Sequence, residues 1–315
     1  MKTKNIYLSS LTSLAVMACA VASANENVYV PELEGGITAS VGAWIATPSS
    51  TEIATIARSD EAVEALNVTP GYDVGIEASL GYIFEDTANG IEFFFRNFDT
   101  NDTSDFISDN AFTPSPGDTV LVNNNVGYEL TAFDLMINQF MNIGQHMQMR
   151  FGAGASYVEL EQNDNINFSS ETTTAFAQQS SEYKGWGPRL AIDARYDFGD
   201  DIQGLGLVAG GSVAYFLGDL DSSSPQLVGT SEPSLETVNN DIDNQAVTNL
   251  RGNVGVDYVY FFDNDEGSTL GLEVGYQVDY YADAVTLTQD NRSNTITNTE
   301  SATFSGPYVS LKGVF

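Results

Sequence analysis

The sequence predicts an all-β protein, a transmembrane antiparallel β-barrel of about ten strands, and three observations carry that reading. Five stretches alternate apolar with polar or small residues for about a dozen positions each, the connections between candidate strands alternate between short and long, and the chain ends on the aromatic Phe315. In the clearest stretch, residues 72–84, Tyr72, Val74, Ile76, Ala78, Leu80, Tyr82 and Phe84 share one face, while Asp73, Gly75, Glu77, Ser79 and Gly81 share the other. Side chains alternate with period two only on a strand. A strand of this length exceeds the norm for a soluble sheet and suits a tilted crossing of an apolar layer about 25 Å tall.

Residues 1–24 read as a secretory signal peptide: Lys2 and Lys4, an apolar run through Leu14, Ala15, Val16 and Met17, then Ala22-Ser23-Ala24 with cleavage expected before Asn25. The run is too short for a membrane-spanning helix, and no later segment offers about 18 consecutive apolar residues. Val16-Met17-Ala18-Cys19 approximates a lipid-attachment pattern, from which Met17 departs. Residues 25–315 then form the barrel. Cys19 is the only cysteine, so the mature chain has no disulfide and any oligomer it forms is noncovalent.

Loss of residues 1–24 removes two lysines and no acids, leaving nine basic side chains against 43 acidic ones and a net charge of −34. So acidic a surface repels nucleic acid. The mean hydropathy of −0.12 is too low for a helical membrane protein but is compatible with a barrel, half of whose strand residues are polar.

Ten candidate strands follow in order, at about 36–46, 72–84, 91–98, 127–140, 147–159, 184–198, 205–217, 248–262, 269–281 and 302–315. Brief turns (EDTANG, NIGQH, GDDIQG, DNDEG) follow the even-numbered strands, and Asp-, Asn-, Ser- and Thr-rich loops of about 20 to 30 residues follow the odd ones. Short periplasmic turns, long extracellular loops and an even strand count are the pattern of bacterial outer-membrane barrels. Tyr72 and Trp186 mark an outer aromatic girdle, and Phe84, Tyr196, Phe198, Tyr260 and Phe262 an inner one. The fourth strand switches its apolar face between Ala132 and Phe133, which suggests a bulge. Eight or twelve strands remain open alternatives.

Charge inside an aqueous lumen costs little, whereas charge on the lipid face costs about 2 to 4 kcal/mol at mid-depth. Alternation therefore directs Arg96, Arg150, Arg189, Arg195 and Arg251 inward, together with Asp73, Glu77, Asp193, Asp257, Glu273 and Asp279. The tight DNDEG turn sets a register: if Phe262 sits opposite Ser268, Arg251 lies opposite Asp279 and Asp257 opposite Glu273. The first pair attracts; the second raises a carboxylate pKa or recruits a cation. Small inward residues, Gly75, Gly81, Gly154, Gly206, Gly210 and Gly275 among them, either widen the lumen or relieve strain where a small barrel curves.

Segments 72–84, 133–162, 183–220 and 270–285 together resemble the major outer membrane protein family of Legionella and its relatives, most distinctively in Gly185-Trp186-Gly187-Pro188-Arg189-Leu190. The resemblance implies an outer-membrane location in a Gram-negative bacterium and pore formation. Family members use cysteines for interchain cross-links, which this mature chain lacks.

Other chemistries find little support. The only histidine, His146, falls in an expected periplasmic turn, so no catalytic residues are assigned. Acidic groups such as Asp99, Asn101, Asp102 and Asp105 lack full calcium-loop spacing, and the Gly-rich strands lack the helix and lysine of a phosphate loop; neither a metal nor a cofactor is assigned. The expectation is a narrow, cation-favouring pore for small solutes or ions, set among lipid and lipopolysaccharide. The alternative is a closed barrel whose acidic outer loops bind an extracellular partner.

Overall fold

A computed structural model of the chain describes residues 28–29, 33, 35–50, 55–56, 64–65, 70–108, 120–169, 174–198, 204–228, 234–262, 268–291 and 294–315. The expected signal peptide lies outside these residues. Ten long strands make the wall: β1 (Gly36–Ser50), β2 (Asp73–Ile83), β3 (Asn89–Ser108), β4 (Val120–Ile143), β5 (Met147–Ser169), β6 (Thr174–Asp197), β7 (Gly204–Val228), β8 (Ser234–Phe261), β9 (Thr269–Asn291) and β10 (Asn294–Val314).

Each strand pairs antiparallel with its sequence neighbours, and β10 closes the ring by pairing with β1 from Val314↔Thr38 to Ala302↔Ser50. At the seam, Phe315 and Ile37 exchange two backbone hydrogen bonds of 2.9 Å. Closure leaves the membrane-level wall without a bare edge, which a sheet in hydrocarbon requires. Outside the ring, Val28 pairs with Ile143 at the inner end of β4, and Thr55–Ile56 pairs with Glu64–Ala65.

Direction follows from exposure. Val74, Ile76 and Leu80 are 58%, 53% and 60% exposed, whereas Gly75 between them is buried. The apolar side of the zigzag therefore faces outward. Tyr82, Phe84, Tyr196, Phe198, Tyr260, Phe262 and Phe315 are exposed near the short-turn end, and Tyr72 and Trp186 near the opposite rim. At the turns, the Phe84 N–H reaches the Asn89 carbonyl at 3.0 Å, and Asp86 and Gly144 take left-handed φ values of 57° and 62°.

Much of what reads as outer loop is strand. β3 and β4 stay paired out to Ser108↔Val120, β5 and β6 to Ser169↔Thr174, and β7 and β8 to Val228↔Ser234. These hairpins rise well past Trp186. Once outside the lipid a strand needs no apolar outer face, so its Asn, Asp, Ser and Thr residues give no membrane-strand signal.

The fourth strand contains no bulge at Ala132. Its ladder with β3 runs unbroken from Gln139 to Val120, and Tyr128, Leu130, Ala132, Asp134, Met136 and Asn138 all point inward. What switches is the environment. At the membrane level the lipid is outside and the polar side chains are inside; above it, water is outside and the apolar side chains turn in. The ladders break instead between Gly218 and Leu220 and between Tyr281 and Val285.

Candidate functional site

The barrel interior divides into three layers along its axis. At the inner end, a cavity of about 470 Å³ reaches from the turn level, at Thr38, Thr269 and Val314, to a deep floor at Arg96, Asp134, Arg189 and Arg251. Its wall carries six acids (Glu77, Glu92, Asp134, Asp193, Asp257 and Glu273) and six bases (Arg96, Arg150, Arg189, Arg195, Arg251 and Lys312). The lining is thus balanced in charge, so of the two grounds for an expected cation preference, inward carboxylates outnumbering arginines and acidic outer loops, the first is absent from the cavity wall. Any such preference has to come from the outer surface.

Every one of these charges is paired. Arg150 spans Glu92 at 2.7 Å and Asp193 at 2.9 Å, and Arg195 holds Asp257 at 2.7 Å as well as Asp197. Glu273 accepts from Tyr308 and Lys312, each at 2.6 Å. The directly opposed Asp257 and Glu273 therefore each find a separate basic partner, and neither is left to gather a free cation as the sequence suggested. Glycines make room for this network: a Cβ on Gly206 would lie 2.4 Å from the Asp257 carboxylate, and one on Gly210 2.4 Å from Asp193. At Gly154 and Gly275 the obstacle is backbone, Leu135 O at 2.0 Å and Val254 O at 2.3 Å, so these two permit close strand approach where the wall curves.

The middle layer is a buried ionic knot. Asp279, 0% exposed, accepts from Arg96, from Arg251 Nε at 3.3 Å, from Asn249 and from the Tyr281 hydroxyl at 3.2 Å. Asp134 accepts from Ser156, from Arg189 Nε at 3.1 Å and from Arg251 at 3.4 Å. Arg96 also pairs with Glu77, and its guanidinium lies 4.5 Å from the Trp44 ring centre. A buried carboxylate is tolerated only with such full pairing.

The outer layer is an apolar plug. Trp44, Phe98, Tyr128, Leu130, Val158, Leu160, Tyr183, Phe216, Leu220, Val247, Tyr281 and Phe304, contributed by nine strands, fill the cross-section above the knot. Phe304 is its hub, with ring centres of Phe98, Tyr128, Tyr281 and Trp44 between 5.5 and 6.2 Å away. The lumen is closed at this level, so the expected polar path through the barrel stops at the knot.

Of the eleven charged residues that alternation directs inward, ten lie in the cavity wall or the knot. Asp73 does not: it sits exposed at the outer end of β2, its carboxylate taking the Val74 N–H at 2.9 Å. Glu92, Asp134 and Lys312 belong to the network but escape a reading that counts arginines first. Each shares parity with a buried residue of its own strand, Arg96, Asn138 and Tyr308 respectively, of which the sequence directs only Arg96 inward. The plug went unread because its residues lie above the lipid, where the rule that sends apolar side chains outward reverses. His146 lies in the turn between β4 and β5, its carbonyl receiving the Asp197 N–H at 2.8 Å.

Beyond the rim, the outward faces of six consecutive strands carry a row of carboxylates in direct register: Asp99, Glu129, Glu161, Glu182, Asp221 and Asp241. Burial first, then the neighbouring Asp99, Glu161 and Glu159, pushes Glu129 up; burial, Asp241, Glu182 and Asp219 do the same to Asp221.

No curated protein matches the chain. Among solved structures it is similar to the outer membrane protease OmpT from Escherichia coli, at 13% identity over 89% of this chain and 97% of that one, with a TM-score of 0.45. It is also similar to the P. putida toluene transporter TodX, at 9% identity over 89% and 90% of the two chains, with a TM-score of 0.31. Likeness at this level carries no argument about activity. The sequence itself is decisive: residues 29–315 match the family described as Legionella pneumophila major outer membrane protein precursor. An antiparallel barrel with an apolar outer belt, matched over nearly its whole length, therefore belongs to that family and resides in the outer membrane of a Gram-negative bacterium.

Proposed function

We propose that this chain is a gated, narrow pore for small polar solutes or ions, closed in the conformation described above. The observation that carries the reading is the charge-lined cavity of about 470 Å³ occupying the inner half of the barrel. A barrel serving only to hold up its outer hairpins gains nothing from a polar vestibule, since small barrels fill their interiors with packed side chains. The vestibule reads as half of a path whose other half is occluded by the plug. Since the wall is balanced in charge, selectivity falls to the acidic outer surface and favours cations weakly. No catalytic role is proposed for any residue.

Single-channel recording of the refolded protein in a planar bilayer with asymmetric KCl tests this. Brief, low-conductance openings with a small cation-selective reversal potential are the expected result. A membrane silent at all voltages, or a clear preference for anions, would refute it.

A second reading has its own support. The wall from β3 to β8 stays continuous far beyond the rim and presents the row of carboxylates, as a surface-display barrel would for an extracellular partner. Retained cell-surface binding by a protein that never conducts would favour it.

A further inference from the structure

The wall is interrupted at Asp283 and Ala284, after which Val285 and Thr286 resume pairing with Glu300 and Thr299 of β10. The β8–β9 ladder ends at Thr248↔Ala282, and above that point β8 pairs with β7 alone. On its other side, β9 jumps register against β10, from Tyr281↔Ala302 to Val285↔Glu300, so that three residues oppose one. Asp283, inside that jump, has φ 57°, a left-handed conformation that costs energy in a non-glycine residue. Beyond the jump the β9–β10 ladder has parted from β8 and reaches over the mouth. Ala284, Val285 and Thr286 are each about 1% exposed, and the Thr286 N–H reaches across to the inward-facing Ser181 hydroxyl of β6 at 2.9 Å. β6 is three strands away around the ring.

Resting on the pore reading above, we propose that Asp283–Thr286 is a strap that shuts the outer mouth, and that its release from Ser181 opens the lumen. Asp283 is the hinge. Its N–H donates to Ser301 Oγ at 3.3 Å and its carbonyl accepts from Gln245 Nε2 at 3.2 Å, so β10 and β8 anchor the root of the strap, while Thr286, still paired with Thr299 of β10, reaches the far wall at Ser181. The latch is weak by construction. A single hydrogen bond joins it to Ser181, and the Thr286 hydroxyl is buried without a partner, a desolvation cost that the open state recovers. The plug residues Tyr281 and Phe304 flank the register jump, so a strap swinging outward draws on the same rings that fill the lumen beneath it.

The test uses Ser181→Cys with Thr286→Cys in the chain without residues 1–24, which has no other cysteine. Cross-link formation, read by mobility and mass, reports docking independently of current. Oxidation should lower single-channel activity at least tenfold and reductant should restore it. Ser181→Ala, with folding checked by heat-modifiable mobility, should raise open probability severalfold. Failure of the cross-link to form overturns the docking. Equal currents from the oxidised and reduced forms overturn the strap while leaving the pore intact. Silence from the wild type, Ser181→Ala and the reduced double variant overturns the pore reading and the strap together.

Discussion

Arg251 and Asp279 face each other directly across β8 and β9, with Nε 3.3 Å from the carboxylate, and the same carboxylate serves Arg96 from across the lumen. One acid therefore ties three strands into the knot. Asp279→Asn leaves two guanidinium groups without their shared counter-charge. Removing one partner of a buried pair costs about 3 to 5 kcal/mol. Denaturant unfolding of the refolded protein should show a loss of that size, whereas Asp73→Asn, exposed at the rim, should change stability by less than about 0.5 kcal/mol.

The plug makes a separate prediction at Phe304. Phe304→Ala empties the hub of the aromatic cluster and should cost about 3 to 5 kcal/mol. It should also raise leak conductance, which Phe304→Leu should do far less because it refills most of the volume. Unfolding and bilayer recordings on the two variants check both halves.

Direct like-charge opposition across strands is destabilising by a few tenths of a kcal/mol per pair, and salt screens it. The row from Asp99 to Asp241 should therefore make the outer hairpins more stable as ionic strength rises. Glu161→Gln sits between Glu129 and Glu182 and relieves two oppositions at once. Thermal melts across a NaCl series should show a smaller salt slope for that variant.

Asp164 supplies the pH dependence. It lies seven residues beyond Tyr157 on β5, outside the lipid, and is 2% exposed on the inner face of the tall hairpins. Burial raises its carboxyl and the Asn124 amide only partly opposes this, leaving it pushed up to about 7. A raised folded-state pKa means the unfolded chain releases this proton first. The outer wall is then most stable below about pH 4 with respect to this group and weakens as pH rises toward 7. The loss is on the order of a few kcal/mol. Protection factors of β4–β6 amides above Tyr157, which remove the intrinsic pH dependence of exchange, should fall between pH 4 and pH 7, and Asp164→Asn should flatten that fall.

The register of β8 and β9 was legible because a tight turn and two charged residues at matching distances leave one self-consistent alignment. The apolar outer belt was legible because Val74, Ile76 and Leu80 alternate with Gly75, Glu77 and Ser79 over a full crossing. The plug was not. Leu130 and Ala132 are as apolar as Leu135 and Ile137, and only knowledge of where lipid gives way to water says that the first pair turns inward. Likewise Asn123, Asn124 and Asn125 of β4 read as loop, because β-propensity reflects packing on neighbours that a single strand does not reveal.

The exchange of hydrogen bonds between Phe315 and Ile37 means that the cylinder is finished by the two wall strands furthest apart in the sequence, β1 and β10. Without β10 the sheet keeps two naked strand borders, on β1 and β9. Until both strands are in place, each border is a template for mispairing. Loss of β10 should therefore be as ruinous to the wall as loss of β1.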